Sequence, residues 1–261
     1  MTQPAESPLF SRIRIVLVNT SHPGNIGAAA RAMKNMGLSR LYLVSPEDYP
    51  TLEAYQRSAG AIDILDHAVR VDSLDDALEG CLWVAGTSAR LRTVQWPVLT
   101  PDECVTQGLQ YLDQGEIAIV FGRENNGLTN EELERCNALL HIPTNQEYSS
   151  LNLAAAVQVV SYEFRRHLMT HKPEKPRGRK HMQDVLASND QLKGMYEHLN
   201  EALDGLGFFG KNNPDVLMRR IKGIFSRASM TQRETAIIRG ICTTIQNRTI
   251  DRDKTKAAAE D

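Results

Sequence analysis

Apolar and polar residues along the chain form short, continuous hydrophobic runs separated by amphipathic stretches. Runs rich in β-branched and aliphatic residues predict strands at residues 12–18, 41–44, 81–85, 116–121 and 139–142, and a weaker run predicts one at 68–71. The runs are continuous rather than alternating, and helical patterns lie between them. We therefore predict an α/β fold with a parallel sheet flanked by helices.

Several helices are indicated by apolar spacing and by their first residues. We predict helices near residues 26–36, 54–58, 151–169, 189–203, 214–227 and 232–247. Ser73, Thr100, Thr129 and Thr231 stand where helices should begin, and the last three are each followed three residues later by Glu, as in a capping box. Gly37 is placed to end the first helix.

The pattern divides the chain into unequal parts. Residues 1–170 predict the α/β domain, and residues 188–250 predict a small, all-helical extension. Between them, residues 171–187 begin with a stretch rich in Pro, Gly and basic residues, which is typical of a linker. Residues 251–261 are predicted to form a frayed tail.

Composition adds limits on the class of protein. The chain is 24% charged and 41% apolar, which is ordinary for a globular protein, and no apolar run approaches the ~20 residues that span a bilayer. No signal-peptide pattern is present at the N-terminus. The four cysteines are scattered, so we expect reduced, buried thiols, no metal site and a cytoplasmic protein without membrane contact.

Charge is distributed unevenly, although the net charge is only −2. Residues 1–170 carry 13 basic and 20 acidic side chains, whereas residues 171–250 carry 14 basic and 8 acidic ones. A basic C-terminal part favours contact with a polyanion such as nucleic acid. A solvated imbalance without function is the alternative.

Residues 141–163 predict a ligand-binding corner. A strand stops at Pro143, which cannot donate to a sheet, and a polar loop leads into a helix rich in small residues. Ser149, Ser150 and Asn152 are placed to cap that helix or to contact a ligand. The alanines at 154–156 permit close approach of another part of the chain or of another subunit.

Two further loops follow predicted strands. The segment NTSHPGNIGAAARAMKNMG contains Asn25 and Arg31, and Arg31 is an isolated charge on a small-residue surface that suits a phosphate. The alternative for Arg31 is a packing role. The segment FGRENNGLTNEE contains Gly122 and Gly127, which permit close ligand approach, and Glu124, which is either an acceptor or a simple turn residue. Neither loop has the glycine fingerprint of nicotinamide enzymes.

A third loop begins at Thr87. The hydroxyls of Thr87 and Ser88 and the amide of Ala89 suit contacts to an adenosine, and Arg90 and Arg92 add positive charge at the same rim. Taken alone, this pattern is weak.

Three of these segments, at 19–37, 121–132 and 142–158, resemble in order and spacing the motifs of the SPOUT class of S-adenosylmethionine-dependent RNA methyltransferases. The resemblance covers about residues 12–250 and is greatest to bacterial enzymes that methylate the ribose 2′-oxygen of cytidine or uridine at position 32 of the tRNA anticodon loop. It implies a C-terminal trefoil knot, a homodimer, S-adenosyl-L-methionine as methyl donor and S-adenosyl-L-homocysteine as product.

The resemblance also implies roles for individual residues. It assigns catalysis to Arg31, Asn25 and Ser150. It assigns donor binding to Thr87, Ser88, Ala89, Gly122, Ile142, Ser149, Ser150, Leu151 and Asn152. We expect RNA contacts from Arg31, Arg90, Arg92 and Arg123, and from Arg219 and Lys222 in the basic extension. Methylation of ribosomal RNA or of another tRNA site, and a non-catalytic RNA-binding module, are the alternatives.

Overall fold

The structure is a computed structural model that describes residues 7–89, 97–145, 147–170, 185–226 and 228–260. The chain divides into two compact units, Met1–Lys180 and His181–Asp261. In the first unit, seven parallel strands form one sheet in the order β3-β2-β1-β6-β4-β7-β5. The strands are β1 (Ile13–Val18), β2 (Arg40–Val44), β3 (Val69–Val71), β4 (Cys81–Thr87), β5 (Val98–Leu99), β6 (Glu116–Phe121) and β7 (Ala138–Leu140). The predicted parallel α/β sheet is confirmed.

Among the described residues, six α-helices lie between these strands, a seventh follows β7, and a short 3-10 turn, Pro8–Arg12, precedes β1. The helices are α1 (Pro23–Asn35), α2 (Leu52–Ser58), α3 (Ile62–Asp66), α4 (Leu74–Leu78), α5 (Pro101–Leu112), α6 (Asn130–Leu133) and α7 (Leu153–Thr170). Ser73, Thr100 and Thr129 cap α4, α5 and α6 as predicted, and the last two form complete capping boxes. Gly37 follows α1 with φ of 83°.

The two faces of the sheet bury separate apolar clusters. On one face, alternate strand residues such as Ile15, Ile119 and Phe121 pack with side chains from α1, α5 and α7. On the other, Val16, Val18 and their neighbours pack with side chains from α4 and α6. Burial on both faces explains why the strand sequences are continuous apolar runs.

Helix α1 approaches α2 very closely. A Cβ atom on Gly27 would lie 2.0 Å from the carbonyl oxygen of Ala54, so only glycine fits at this position. This approach fixes the N-terminal half of α1, which carries Asn25, beside α2.

The second unit contains α8 (Asn189–Gly205), α9 (Pro214–Ser226) and α10 (Gln232–Glu260), and Met195, Ala202 and Met218 are buried within it. Thr231 forms its predicted capping hydrogen bonds with Glu234. Val185 and Ala187, predicted as the end of the linker, instead hydrogen-bond to Gln232 and Met230 through their backbones. The apolar side chains of Leu186 and Ala187 are buried there, which explains the difference. The remaining linker residues, 171–184, lie outside the described residues.

Other differences from the sequence prediction are local. Strand β5 and helix α3 were not predicted, and β7 ends at Leu140, two residues early. Helix α10 continues to Glu260 where a tail was predicted, because residues 251–260 include three alanines and lack Pro and Gly. Among the described residues, no helix is long and apolar enough to cross a membrane. All four cysteines are buried and free, as expected. The trefoil knot stays a prediction.

Candidate active site

The carboxyl ends of β4, β6 and β7 meet at one edge of the sheet, where open α/β folds usually bind ligands. A cavity of about 390 Å³ lies there, within the range typical of small-molecule sites. Eight of the nine predicted donor-binding residues line it: Thr87, Ser88, Ala89, Gly122, Ile142, Ser149, Ser150 and Leu151. The structure thus brings together three segments that are far apart in the sequence.

The wall after β6 requires glycine at its first position. A Cβ atom on Gly122 would lie 2.2 Å from the carbonyl carbon of Gly127 and 2.3 Å from the nitrogen of Leu128. The turn is closed by two backbone hydrogen bonds between Arg123 and Gly127, of 3.2 and 2.9 Å, and Gly127 has φ of 67°. The backbone of this loop therefore forms a compact wall that no larger residue at 122 would permit.

Arg123 in the same loop bonds within the protein. Its guanidinium donates to both carboxylate oxygens of Glu132, at 3.0 and 3.1 Å, and to the side-chain oxygen of Asn19. Such a bidentate pair holds the loop after β6 against α6 and the end of β1. The RNA contact predicted for Arg123 stays a prediction.

Glu124 accepts several hydrogen bonds from the segment that leads into α1. Its carboxylate accepts from the Ser21 nitrogen and hydroxyl, at 3.2 and 3.1 Å, and from the Asn25 side chain at 3.0 Å. Partial burial raises the pKa of Glu124, but these hydrogen bonds lower it by a larger amount. The pKa of Glu124 is therefore below its usual value. Glu124 is therefore an ionised acceptor, rather than a simple turn residue.

Asn25 and Asn152 extend this network to the third segment. The Asn152 side chain donates to the Asn25 oxygen at 2.9 Å, and its own oxygen accepts from Ala154 N and Ala155 N at the start of α7. Asn152 thus caps α7 and joins it to α1. It is absent from the cavity lining, unlike the other predicted donor-binding residues.

The loop between β7 and α7 is held at both ends. Ser88 N donates to the Leu140 carbonyl oxygen at 3.0 Å, and the Thr144 hydroxyl donates to the Ser149 carbonyl at 3.2 Å. Ser149 and Ser150 are exposed at the cavity. Tyr148 beside them has an exposed fraction of 82% and was not among the predicted site residues. Its position between the polar residues Glu147 and Ser149 was the one sequence signal that it lies exposed in this loop.

The predicted basic residues are in different places. Arg31 is exposed on α1, outside the cavity lining, and has no ion pair among the residues that the structure describes. Arg90 and Arg92 lie outside the described residues. Arg219 and Lys222 are on α9 in the second unit, where the Lys222 ammonium lies 6.0 Å from the centre of the Tyr196 ring.

One group of described residues has the spacing of a metal site, although none of it lines the cavity. Single ligand atoms of Asp102, Glu163 and His167 lie within 4.8 Å of one another. Arg166 donates to both carboxylates, and the His167 ring contacts Asp102 at 2.9 Å. The contacts with His167 and Arg166 lower the pKa of Asp102. The guanidinium provides the positive charge that an ion would bring.

Comparisons with known proteins match this architecture over most of the chain. Residues 12–162 match the SpoU rRNA Methylase family, and residues 190–255 match the tRNA methyltransferase TrmJ, C-terminal domain. The chain is 50% identical to the tRNA (cytidine/uridine/adenosine-2′-O-)-methyltransferase TrmJ of Pseudomonas aeruginosa, over 91% of this chain and 95% of that protein. It is 47% identical to the tRNA (cytidine/uridine-2′-O-)-methyltransferase TrmJ of Photorhabdus laumondii, over 91% and 98%.

A solved structure is also similar to this chain over most of its length. The crystal structure of TrmJ from Z. mobilis ZM4 has a TM-score of 0.74 and 32% identity, and the match covers 89% of this chain and 98% of that one.

Proposed function

Because the chain belongs to the SpoU rRNA Methylase family, we propose that it methylates the ribose 2′-hydroxyl of cytidine or uridine in tRNA. We further propose S-adenosyl-L-methionine as the donor and position 32 of the anticodon loop as the site. The observation that carries the proposal is one cavity lined by the motif segments at 121–132 and 142–158 and by the loop at Thr87, with Asn25 of the first segment bonded to Glu124 in that lining. The relatives named TrmJ are similar over 95% and 98% of their length. The protein would act in the cytoplasm on unmodified tRNA.

The cavity suits the donor in size and chemistry. Its lining combines apolar side chains such as Leu128 and Leu140 with hydroxyls and loop backbone, as a nucleoside with an amino-acid tail requires. The close packing of Gly122 on the backbone of Gly127 and Leu128 fixes the position of this wall. We assign donor binding to the eight predicted residues of the lining, and Asn152 would act by fixing the loop and α7.

Methyl transfer requires alignment rather than covalent catalysis by the protein. The donor, when bound, would supply a methyl group on a sulfonium. The ribose oxygen would attack the methyl carbon in line with the breaking C–S bond, S-adenosyl-L-homocysteine would leave, and the hydroxyl proton would pass to water. Ser150 would border the reacting ribose. Arg31 would bind the adjacent phosphate and stabilise the developing oxyanion. Asn25, oriented by Glu124 and Asn152, would hold the start of α1 at the reaction site.

The second unit would supply much of the grip on tRNA. Arg219 and Lys222 lie on α9, and Lys222 borders the partly buried ring of Tyr196. Together with the basic stretch before it, this unit favours phosphate contacts whose strength falls steeply with salt.

A homodimer is part of the proposal. On α7, Ala155, Tyr162 and Met169 recur every seven residues and are all exposed; the exposed fractions of Tyr162 and Met169 are 52% and 50%. A helix stripe of this kind suits packing against a second copy. We expect the Tyr162→Glu variant to shift the protein towards monomer in light scattering. Glu79→Gln, exposed at the end of α4 on the opposite face of the sheet from α7, should leave the mass unchanged. A wild-type monomer would contradict the dimer.

The experiment that tests the activity supplies labelled donor with either unmodified tRNA or ribosomal RNA fragments. We expect 2′-O-methylation of tRNA only. Methylation of ribosomal RNA alone would retain the chemistry and replace the substrate. Absence of both methyl transfer and donor binding by calorimetry would favour a non-catalytic RNA-binding module.

A further inference from the structure

Most of the basic side chains that the structure describes in the first unit bond to groups within the protein. Lys34 contacts Asp63 at 2.6 Å, and Arg12 donates to the carbonyl oxygens of Leu112 and Asp113. In the described part of this unit, three arginines have neither a hydrogen bond nor an ion pair: Arg31, Arg57 and Arg70. All three are exposed, so their charges are accessible to a ligand.

Two of these arginines border the same face of α1. Gly24, Gly27 and Arg31 occur at positions i, i+3 and i+7 of α1 and therefore share one face of the helix. A Cβ on Gly24 would lie 3.6 Å from Cγ of Arg57, and one on Gly27 would lie 3.0 Å from its Cβ. The stem of Arg57 on α2 thus packs on the face of α1 that also carries Arg31.

The first turn of α1 reaches the residues that line the cavity, on another side of the helix from this face. Asn25, in the first turn of α1, bonds to Glu124, which lines the cavity. The acidic neighbour Glu53, one turn before Arg57, lies against Gly24 and forms no ion pair with Arg57. Arg31 and Arg57 therefore border the same face of α1, and no described carboxylate is bonded to either.

We propose that Arg57 binds a phosphate of the tRNA backbone next to the target nucleotide, as a second guanidinium beside Arg31. This inference rests on the proposed function. Two exposed guanidinium groups that border one face of α1 attract a polyanion, and each can form a bidentate contact with phosphate oxygens. Gly24 and Gly27 allow the Arg57 stem to lie flat on α1, which holds the start of this side chain on the helix that carries Arg31.

The test compares Arg57→Gln with Arg70→Gln in the full-length protein. Arg70 lies on β3, the edge strand at the end of the sheet opposite to β4 and β7, and is a matched exposed arginine. Binding of an unmodified tRNA transcript is measured over several salt concentrations. We expect Arg57→Gln to raise the Kd about three- to tenfold and to reduce the slope of log K against log salt by about 0.7, as for one lost phosphate contact.

Two outcomes separate this inference from the function itself. If wild type methylates tRNA while Arg57→Gln binds it with the Kd and slope of Arg70→Gln, the role of Arg57 is overturned. If wild type does not methylate tRNA, the proposed function fails instead. Arg57→Lys keeps the charge and should restore the salt slope, whereas a structural role would not depend on charge.

Discussion

The polar side chains around the cavity differ from those on the adjacent face of α1. Around the cavity, Arg123, Glu124 and Asn152 are bonded within the protein. On α1 and α2, Arg31 and Arg57 have no such partner among the described residues. We infer that the bonded side chains around the cavity hold the shape of the site, whereas the two unpaired arginines are available to the substrate. Changes in the first group should therefore reduce stability and activity together, and changes in the second should reduce activity alone.

The largest effect is expected from Gly122→Ala, which tests the shape-holding group. A methyl group there would meet the backbone of Gly127 at 2.2 Å, so the loop must move. We expect loss of measurable donor binding and a fall in the free energy of unfolding of about 3 kcal/mol or more. Calorimetry measures donor binding, and urea denaturation measures the free energy of unfolding.

The control is Gly194→Ala, where the added group meets nothing within 4 Å, and it should change stability by no more than about 1 kcal/mol. Normal donor binding by Gly122→Ala would contradict the cavity wall.

Arg31→Ala tests the substrate-contacting group. We expect turnover in single-cycle assays to fall at least ~100-fold, since a positioned charge is lost from the reacting centre. The midpoint of thermal unfolding should stay within about 1 °C of wild type, because exposed side chains without partners contribute little to stability. Arg70→Ala is the control. Near-normal turnover by Arg31→Ala would remove Arg31 from the mechanism.

Glu124→Gln tests whether the carboxylate is needed to orient Asn25. The amide would place an N–H group among the donors Ser21 and Asn25, so we expect about 1–2 kcal/mol lower stability and roughly tenfold slower turnover. Glu131→Gln on α6 has an exposed carboxyl without these bonds and should behave as wild type. Equal stability of both variants would contradict the network.

The difference in stability between wild type and Glu124→Gln should also depend on pH. The folded-state pKa of Glu124 is lowered from about 4.5, so its contribution is fully present above that pH and is lost as pH falls through the lower folded value. We expect the stability difference between wild type and Glu124→Gln to be constant at neutral pH and to shrink in acid. A difference that grows in acid would have the wrong sign.

The smallest effect is expected from the second unit. Arg219→Glu with Lys222→Glu should weaken tRNA binding about tenfold at moderate salt and less at high salt, because several weak phosphate contacts share the binding. Donor binding is the control and should not change. Unaltered tRNA affinity would exclude α9 from the interface.

Local sequence signals predicted much of this fold. Continuous apolar runs predicted the strands, and the capping boxes at Thr100 and Thr129 predicted two helix starts, because both depend on neighbours within a few residues. Strand β5 has two residues and was too short to show a pattern. The contacts of Asn25 with Glu124 and Asn152 span 99 and 127 residues and depend on strand order, which spacing does not contain. For the same reason, the sequence did not show that Arg123 bonds to Glu132 and Asn19, or that Arg57 has no bonded partner among the described residues.

The most direct test of the account is to locate the methyl group within tRNA. Unmodified tRNA is incubated with wild-type protein and labelled S-adenosyl-L-methionine, digested with nuclease and analysed by mass spectrometry. The account predicts a single 2′-O-methyl group on cytidine or uridine at position 32, and none with Arg31→Ala over the same time. Methylation at another nucleotide, or on a base rather than the ribose, would contradict it.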